Sequence, residues 1–376
     1  MTKKTISYTE IEIEQNSDLV AEPQFDLFFS DDEKERHEDG TLRVLSLFSG
    51  SGGMDLGLEG GFICHKHSAT NPDWIDYPVN DDWVMLNRNM FRTVFACDIL
   101  EAAKLTWLNY MSRYHVNPSI YHLDSIVDLV KRHRQGHEIF PHNIDVVTGG
   151  FPCQDFSVAG KRKGFESTVS HNGEKKVDEE LSEETRGKLY MWMKQVIDIV
   201  QPKMFIAENV KGLVSLGDVK EIIQRDFSTA NGNDYIVLDP QVLHAGNYGV
   251  PETRERVIFI GIKRSALTPG AIEALEQEVI PQAYNPYPLP THNYNVNNNE
   301  LPGPVTCRDV LGGLPEPEHS EDLAQQSFSG AKYLGNGSQG QTEISLDGLG
   351  PTIRSEHHGN IEFRRLSAEH GGKHHE

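Results

Sequence analysis

Apolar runs, glycine turns and helix-compatible stretches alternate through the middle of this chain. Residues 42–48 (Leu-Arg-Val-Leu-Ser-Leu-Phe) read as a buried strand, followed by the turn Ser49-Gly50-Ser51-Gly52-Gly53 and a helix-compatible segment at 54–59. That order of strand, glycine turn and helix is of nucleotide-fold type. Thr93-Val94-Phe95-Ala96-Cys97 reads as a second strand that ends at Asp98 and runs into a helix over 102–110. The stretch between, about 65–92, reads as an insertion. Further strands are predicted at 144–148, 203–207, 235–238 and 256–262, with a helix over 189–200. Such alternation over roughly 45–265 predicts a doubly wound, mostly parallel α/β sheet of Rossmann-like type, forming one unit over 41–264. Past Arg264 the pattern breaks: 281–304 is rich in Pro, Asn and Tyr, and later segments are short apolar runs between glycines. A smaller, irregular region is expected over 265–376.

Charge alters the picture at two places. The net charge of −21 argues, taken whole, against a nucleic-acid partner. Residues 1–40, however, carry twelve acidic and four basic side chains, a net −8, and 166–186 carry seven and three, a net −4. Both read as solvated segments, and 1–40 as an acidic, unstructured leader. Lys161-Arg162-Lys163 and Arg254 with Arg256 remain as local phosphate contacts. The N-terminal residues lack an apolar signal core, and no run of 18 apolar residues occurs, so a cytoplasmic protein is expected. The four cysteines lack CxxC spacing, and the histidines at 357–358 and 370–375 fit no metal geometry; no metal is expected.

Chemistry is expected first at Gly149-Gly150-Phe151-Pro152-Cys153-Gln154, where a thiol follows a strand end. Glycines let the backbone turn sharply and Pro152 stiffens the approach, so Cys153 projects from a loop; the competing reading is a buried structural cysteine. The Gly50-x-Gly52 turn sits where a cofactor loop belongs. It is not GxGxxG, so a dinucleotide pyrophosphate cradle is incomplete, and Asp98 at the end of the second strand is placed to accept both ribose hydroxyls of S-adenosylmethionine. Glu208 follows the strand at 203–207 and falls on the same sheet edge as Cys153, although alone it would read as a helix cap.

Leu47-Phe48-Ser49-Gly50-Ser51-Gly52-Gly53, Gly149 through Ser157, Glu208-Asn209-Val210 and Tyr248-Gly249-Val250-Pro251-Glu252-Thr253-Arg254-Glu255-Arg256 together resemble the ordered signature blocks of DNA cytosine-5 methyltransferases of bacterial or phage restriction-modification type. The resemblance implies methyl transfer from S-adenosylmethionine to C5 of cytosine in a specific duplex DNA sequence. Cys153 would add to C6 of a flipped-out base, Glu208 would serve N3 and the exocyclic amine, and Arg256 the base carbonyl, with Arg254 beside it. For the cofactor it implies Phe48, Ser49, Gly50, Gly52, Gly53, Asp98 with Ile99, Asp124 with Ser125, Pro152 and Leu189. For DNA it implies Gln154, Ser157, Lys161, Arg162 and Lys163. Asp98 stands where many members have Glu, Leu123 where a glycine usually precedes Asp124, and Glu252 where many have Gln.

The family's last two blocks are not found, although Val305-Thr306-Cys307-Arg308-Asp309 and Leu349-Gly350-Pro351-Thr352-Ile353-Arg354 resemble parts of some members' recognition regions. Residues 265–376 are therefore expected to be a partial target-recognition region. A truncated product, an enzyme split over two polypeptides with a C-terminal partner, and a fragment are the explanations; weak activity of the isolated chain is expected. The rival functions are an RNA cytosine-5 methyltransferase and a non-catalytic DNA- or cofactor-binding protein.

Overall fold

The computed structural model describes residues 28–30, 37, 40–152, 189–315, 319–321, 323, 326 and 344–353. Among them the fold is α/β, built on an eight-stranded sheet. Five strands run parallel: β1 (Leu42–Leu47), β5 (Phe91–Asp98), β6 (Tyr121–Leu123), β7 (Val146–Gly149) and β8 (Met204–Val210). Their order is β6-β5-β1-β7-β8, with every carboxyl end on one edge. β11 (Glu255–Lys263) adds antiparallel to β8, and β9 (Tyr235–Val237) and β10 (Gln241–His244) pair with β11. The predicted insertion forms its own antiparallel sheet of β2 (Ile63–His65), β4 (Trp83–Leu86) and β3 (Ile75–Pro78).

The strands are apolar on both faces because helices cover both. Phe95 and Cys97 of β5 face the main core, while Ala96 between them packs with Trp107, Met111 and Tyr121 on the other side. α2 (Glu101–Met111) supplies Trp107 and Met111. On the main face lie α3 (Ile126–Arg134), α4 (Leu189–Val200) and α5 (Val219–Ser228). α4 is helical for a legible reason: Leu189, Tyr190, Met193, Val196 and Ile197 fall on one stripe and are buried. It approaches β7 so closely that a β-carbon at Gly149 would lie 2.8 Å from Met193 Sδ, so any larger residue there would have to displace the Met193 thioether.

β11 joins this core to a second one. Val257 and Phe259 point into the main cluster, whereas Ile260 and Ile262 pack with Ala266, Leu267 and Leu275. The last of these belongs to α6 (Pro269–Leu275), so residues on both sides of position 264 share one apolar cluster. Phe28 and Phe29 complete it, 5% and 7% exposed, which corrects the reading of the leader as wholly solvated. Removing two aromatic rings from water is favourable in proportion to their apolar area, whatever the net charge of the segment that carries them. A short α7 (Cys307–Leu311) opens with a capping box at Thr306 and Asp309. No described helix is long and apolar enough to cross a membrane.

Candidate active site

The carboxyl ends of the five parallel strands bring Phe48, Asp98, Asp124, Gly150 and Glu208 to one edge, where ligands of open α/β sheets bind. At the end of β1 the chain turns sharply: Phe48, Gly50 and Gly52 have φ of 52°, 53° and 89°. The turn is stitched to β5 on three sides. Ser49 N–H donates to Cys97 O at 2.9 Å, Cys97 N–H donates to Ser49 Oγ at 3.1 Å, and Gly50 N–H donates to Asp98 Oδ2 at 3.0 Å. The other Asp98 oxygen accepts from Leu100 N–H at 3.0 Å. Each carboxylate oxygen has a lone pair to spare, so the pre-oriented group suits a vicinal diol.

Two buttresses of this turn were not singled out from sequence. Tyr121 donates its hydroxyl hydrogen to Gly50 O at 3.0 Å, from the short strand β6. Trp107 packs beneath Gly52, where a β-carbon would lie 2.6 Å from the indole, and donates Nε1–H to Asp55 Oδ2 at 2.6 Å. Asp55 lies in α1 (Gly53–Glu59) and is 1% exposed. Burial pushes its carboxyl up to about 6, against the opposing pull of Ser46 and Trp107.

The other cofactor candidates occupy the same edge with differing engagement. Ile99 is exposed next to Asp98. Asp124 follows Leu123, the β6 partner of Asp98, and pairs with Arg132 at 3.1 Å. Ser125 is buried as the N-cap of α3, accepting from Val127 N–H at 3.3 Å. Leu189 is 3% exposed within the main core. Gly53 opens α1, and Pro152 is half-buried beyond β7.

Farther along the same edge, β8 and β11 place Glu208 and Arg256 diagonally across an antiparallel pair, since Arg256 faces Val210 and Ile258 faces Glu208. Arg256 Nε lies 2.7 Å from Glu208 Oε1, and Arg254 Nη2 lies 3.8 Å from the same oxygen. Glu208 Oε2 is turned toward Gly150, whose β-carbon would stand 3.3 Å away. Asn209, 1% exposed, donates Nδ2–H to Phe151 O at 3.2 Å and so fixes the strand end leading to the loop. Cys153, Gln154, Ser157, Lys161, Arg162 and Lys163 lie outside the described residues, as do the histidines at 357–358 and 370–375. Burial disfavours the thiolate form at all three described cysteines. Burial raises the thiols of Cys64 and Cys307, and pushes Cys97 up to about 12.

A family model for C-5 cytosine-specific DNA methylases matches residues 42–327. The chain belongs to that family. Among its relatives within this methylase family are the Type II methyltransferases M.BspRI of Lysinibacillus sphaericus, 31% identical over 254 residues, and M.BsuRI of Bacillus subtilis, 29% identical over 278 residues. M.PspPI of Psychrobacter sp. (strain TA137), also a Type II methyltransferase, is 29% identical over 313 residues. These matches cover 67%, 73% and 79% of this chain and 51%, 51% and 59% of the respective relatives, so the chain spans somewhat more than half of their lengths.

Proposed function

We propose that this chain transfers a methyl group to C5 of cytosine within a specific duplex DNA sequence, as part of a restriction-modification system. The observation that carries the reading is the Glu208–Arg256 pair, 2.7 Å apart at the sheet edge that also holds the turn 48–53 and the approach to Cys153. Glycines with positive φ at 50 and 52 and the oriented Asp98 carboxylate suit S-adenosylmethionine. Bound there, that cofactor supplies a methyl group on a sulfonium. Asp98 would hold the ribose, with Asp124 and Leu189 toward the adenine.

The base must leave the duplex to reach this edge, at a cost of a few kcal/mol. Cys153 adds as a thiolate to C6, while Glu208 donates a proton to N3 and Arg256 donates hydrogen bonds to the carbonyl. The ring becomes an enamine whose C5 takes the methyl group. Water then takes the C5 proton, the Cys153 thiolate leaves C6 as the C5–C6 double bond re-forms, and N3 returns its proton to Glu208. Gln154, Ser157 and Lys161-Arg162-Lys163 would contact the DNA. The region 265–376 would provide part of the target recognition.

Exposed apolar side chains beside the cofactor turn support a second polypeptide as partner. Leu100 and Leu105 are 57% and 62% exposed, and Ile99 and Leu123 adjoin them. Labelled methyl transfer to unmethylated duplex DNA and to tRNA, with the chain alone and with the polypeptide encoded immediately downstream, tests both parts. Label in DNA supports the proposal, and label confined to tRNA replaces it with an RNA enzyme. Enhancement by the added polypeptide supports the partner.

A further inference from the structure

Glu252 belongs to no element, yet it lies between the base-side arginines and a segment almost a hundred residues downstream. Its Oε1 accepts the Ile353 N–H at 2.8 Å, and Arg254 Nη1 stands 3.8 Å from that same oxygen. Arg254 also donates to Ile353 O at 3.4 Å, while its other terminal nitrogen reaches toward Glu208 Oε1 at 3.8 Å. The downstream segment is laid along 251–254 as a short parallel pairing. Thr253 N–H donates to Gly350 O at 2.7 Å, Gly350 N–H to Pro251 O at 2.9 Å, and the Thr352 hydroxyl to Thr253 O at 3.0 Å.

The Arg254 guanidinium is thus shared between two carboxylates. Glu208 Oε1 already has Arg256 at 2.7 Å. Among the described residues, Glu208 Oε2 has no hydrogen-bond or ion-pair partner. Without the Glu252 charge, Glu208 would be the one carboxylate left to Arg254 within this cluster, and the guanidinium would close on the acid that has to meet the base. Glutamine at 252 could accept from Ile353 N–H but would carry no charge to compete with Glu208 for the cation.

We propose that Glu252 is a positioning residue, which holds Arg254 off Glu208 and ties it to the Gly350–Ile353 backbone, so that the acid is open to the base when that segment is seated. This rests on the function proposed above. Two variants separate charge from backbone contact. Glu252→Gln keeps an acceptor for Ile353 N–H and loses the charge, whereas Glu252→Ala loses both.

The test measures single-turnover methyl transfer to duplex DNA by the full chain, with the KM for DNA, for wild type, Glu252→Gln, Arg254→Ala and the double variant. The expected result is a rate about tenfold lower in Glu252→Gln, within the range for coupled charges in contact, with KM nearly unchanged. In the Arg254→Ala background the same substitution has no further effect. An equal loss in both backgrounds, or no loss in either, overturns the proposal. Thermal unfolding of these variants and of Glu252→Ala gives a readout independent of turnover. Glu252→Gln is expected to melt near wild type and Glu252→Ala lower, and the Gln and Arg254→Ala shifts to be less than additive. If wild type methylates nothing, the function proposed above has failed, and additive melting shifts then overturn the positioning role as well.

Discussion

At the end of β1 the chain is held through backbone N–H groups: those of Ser49, Gly50 and Cys97 donate to Cys97 O, Asp98 Oδ2 and Ser49 Oγ at 2.9 to 3.1 Å, and Tyr121 and Trp107 close the turn from below. At the end of β8 the corresponding parts are charged side chains 20% to 37% exposed, with distances of 2.7 and 3.8 Å. One region is set by covalent turns and packing. The other is set by a balance among two carboxylates and two guanidinium groups, adjusted by a downstream segment. Hydrogen bonds of a half-buried turn packed against Trp107 and Tyr121 persist whether or not a ligand is present, whereas partly solvated ion pairs shift easily and are individually weak. The difference assigns pre-organisation to the cofactor side and adaptability to the base side.

Substitutions that strike one side and spare the other sharpen the contrast. The largest expected effect is on the base side. Glu208→Gln should lower methyl transfer by about 10²- to 10⁴-fold, the usual worth of a positioned proton donor, with little change in melting temperature or cofactor affinity. Single-turnover kinetics beside calorimetric titration with S-adenosylmethionine would check this.

The next effect lies on the cofactor side and depends on pH. Asp55, raised from 3.8 to about 6 by burial, keeps its proton in the folded chain at pH values where the unfolded chain has lost it. Its stabilising proton uptake is fully present below about pH 4, is lost as pH rises to about 6, and changes nothing beyond; the loss is about 3 kcal/mol. Urea unfolding at a series of pH values should show that decline, and Asp55→Asn should flatten it.

Gly52→Ala should cost about 2 kcal/mol, because it forces a left-handed residue against Trp107, and should weaken cofactor binding while leaving the Glu208–Arg256 pair intact. Smallest is Ser49→Ala, which leaves Cys97 N–H without its Oγ acceptor and should lower stability by about 1 kcal/mol. A large activity loss without destabilisation in either of these two variants would break the distinction between the regions.

Much of this was legible in the chain. β1, β5, β8, β11 and α4 stand where apolar runs and helical spacing put them, because buried strands and an amphipathic stripe leave strong local signals. β6 and β10 were not legible: three and four residues carry no periodicity, and their pairing is decided by neighbours far away in sequence. The sheet within 63–86 has mostly exposed and half-buried positions, so the stretch from about 65 to 92 reads only as an insertion with no strands marked in it. The motifs indicated Asp98, Glu208 and Arg256, since they stand at strand ends beside turns. Tyr121, Trp107 and Asp55 escaped because their roles come from packing across the sheet edge. Glu252 was noted as a departure from the family pattern, but its link to Ile353 spans about a hundred positions and leaves no local trace.

The most direct test of the central claim is covalent trapping. The chain would be incubated with S-adenosylmethionine and duplex DNA containing 5-fluorocytosine, and any adduct mapped to its peptide by mass spectrometry. The expected result is a stable adduct at Cys153 that requires the cofactor and vanishes in Cys153→Ser. An adduct at Cys64, Cys97 or Cys307, or none under conditions where DNA and cofactor both bind, would contradict the account.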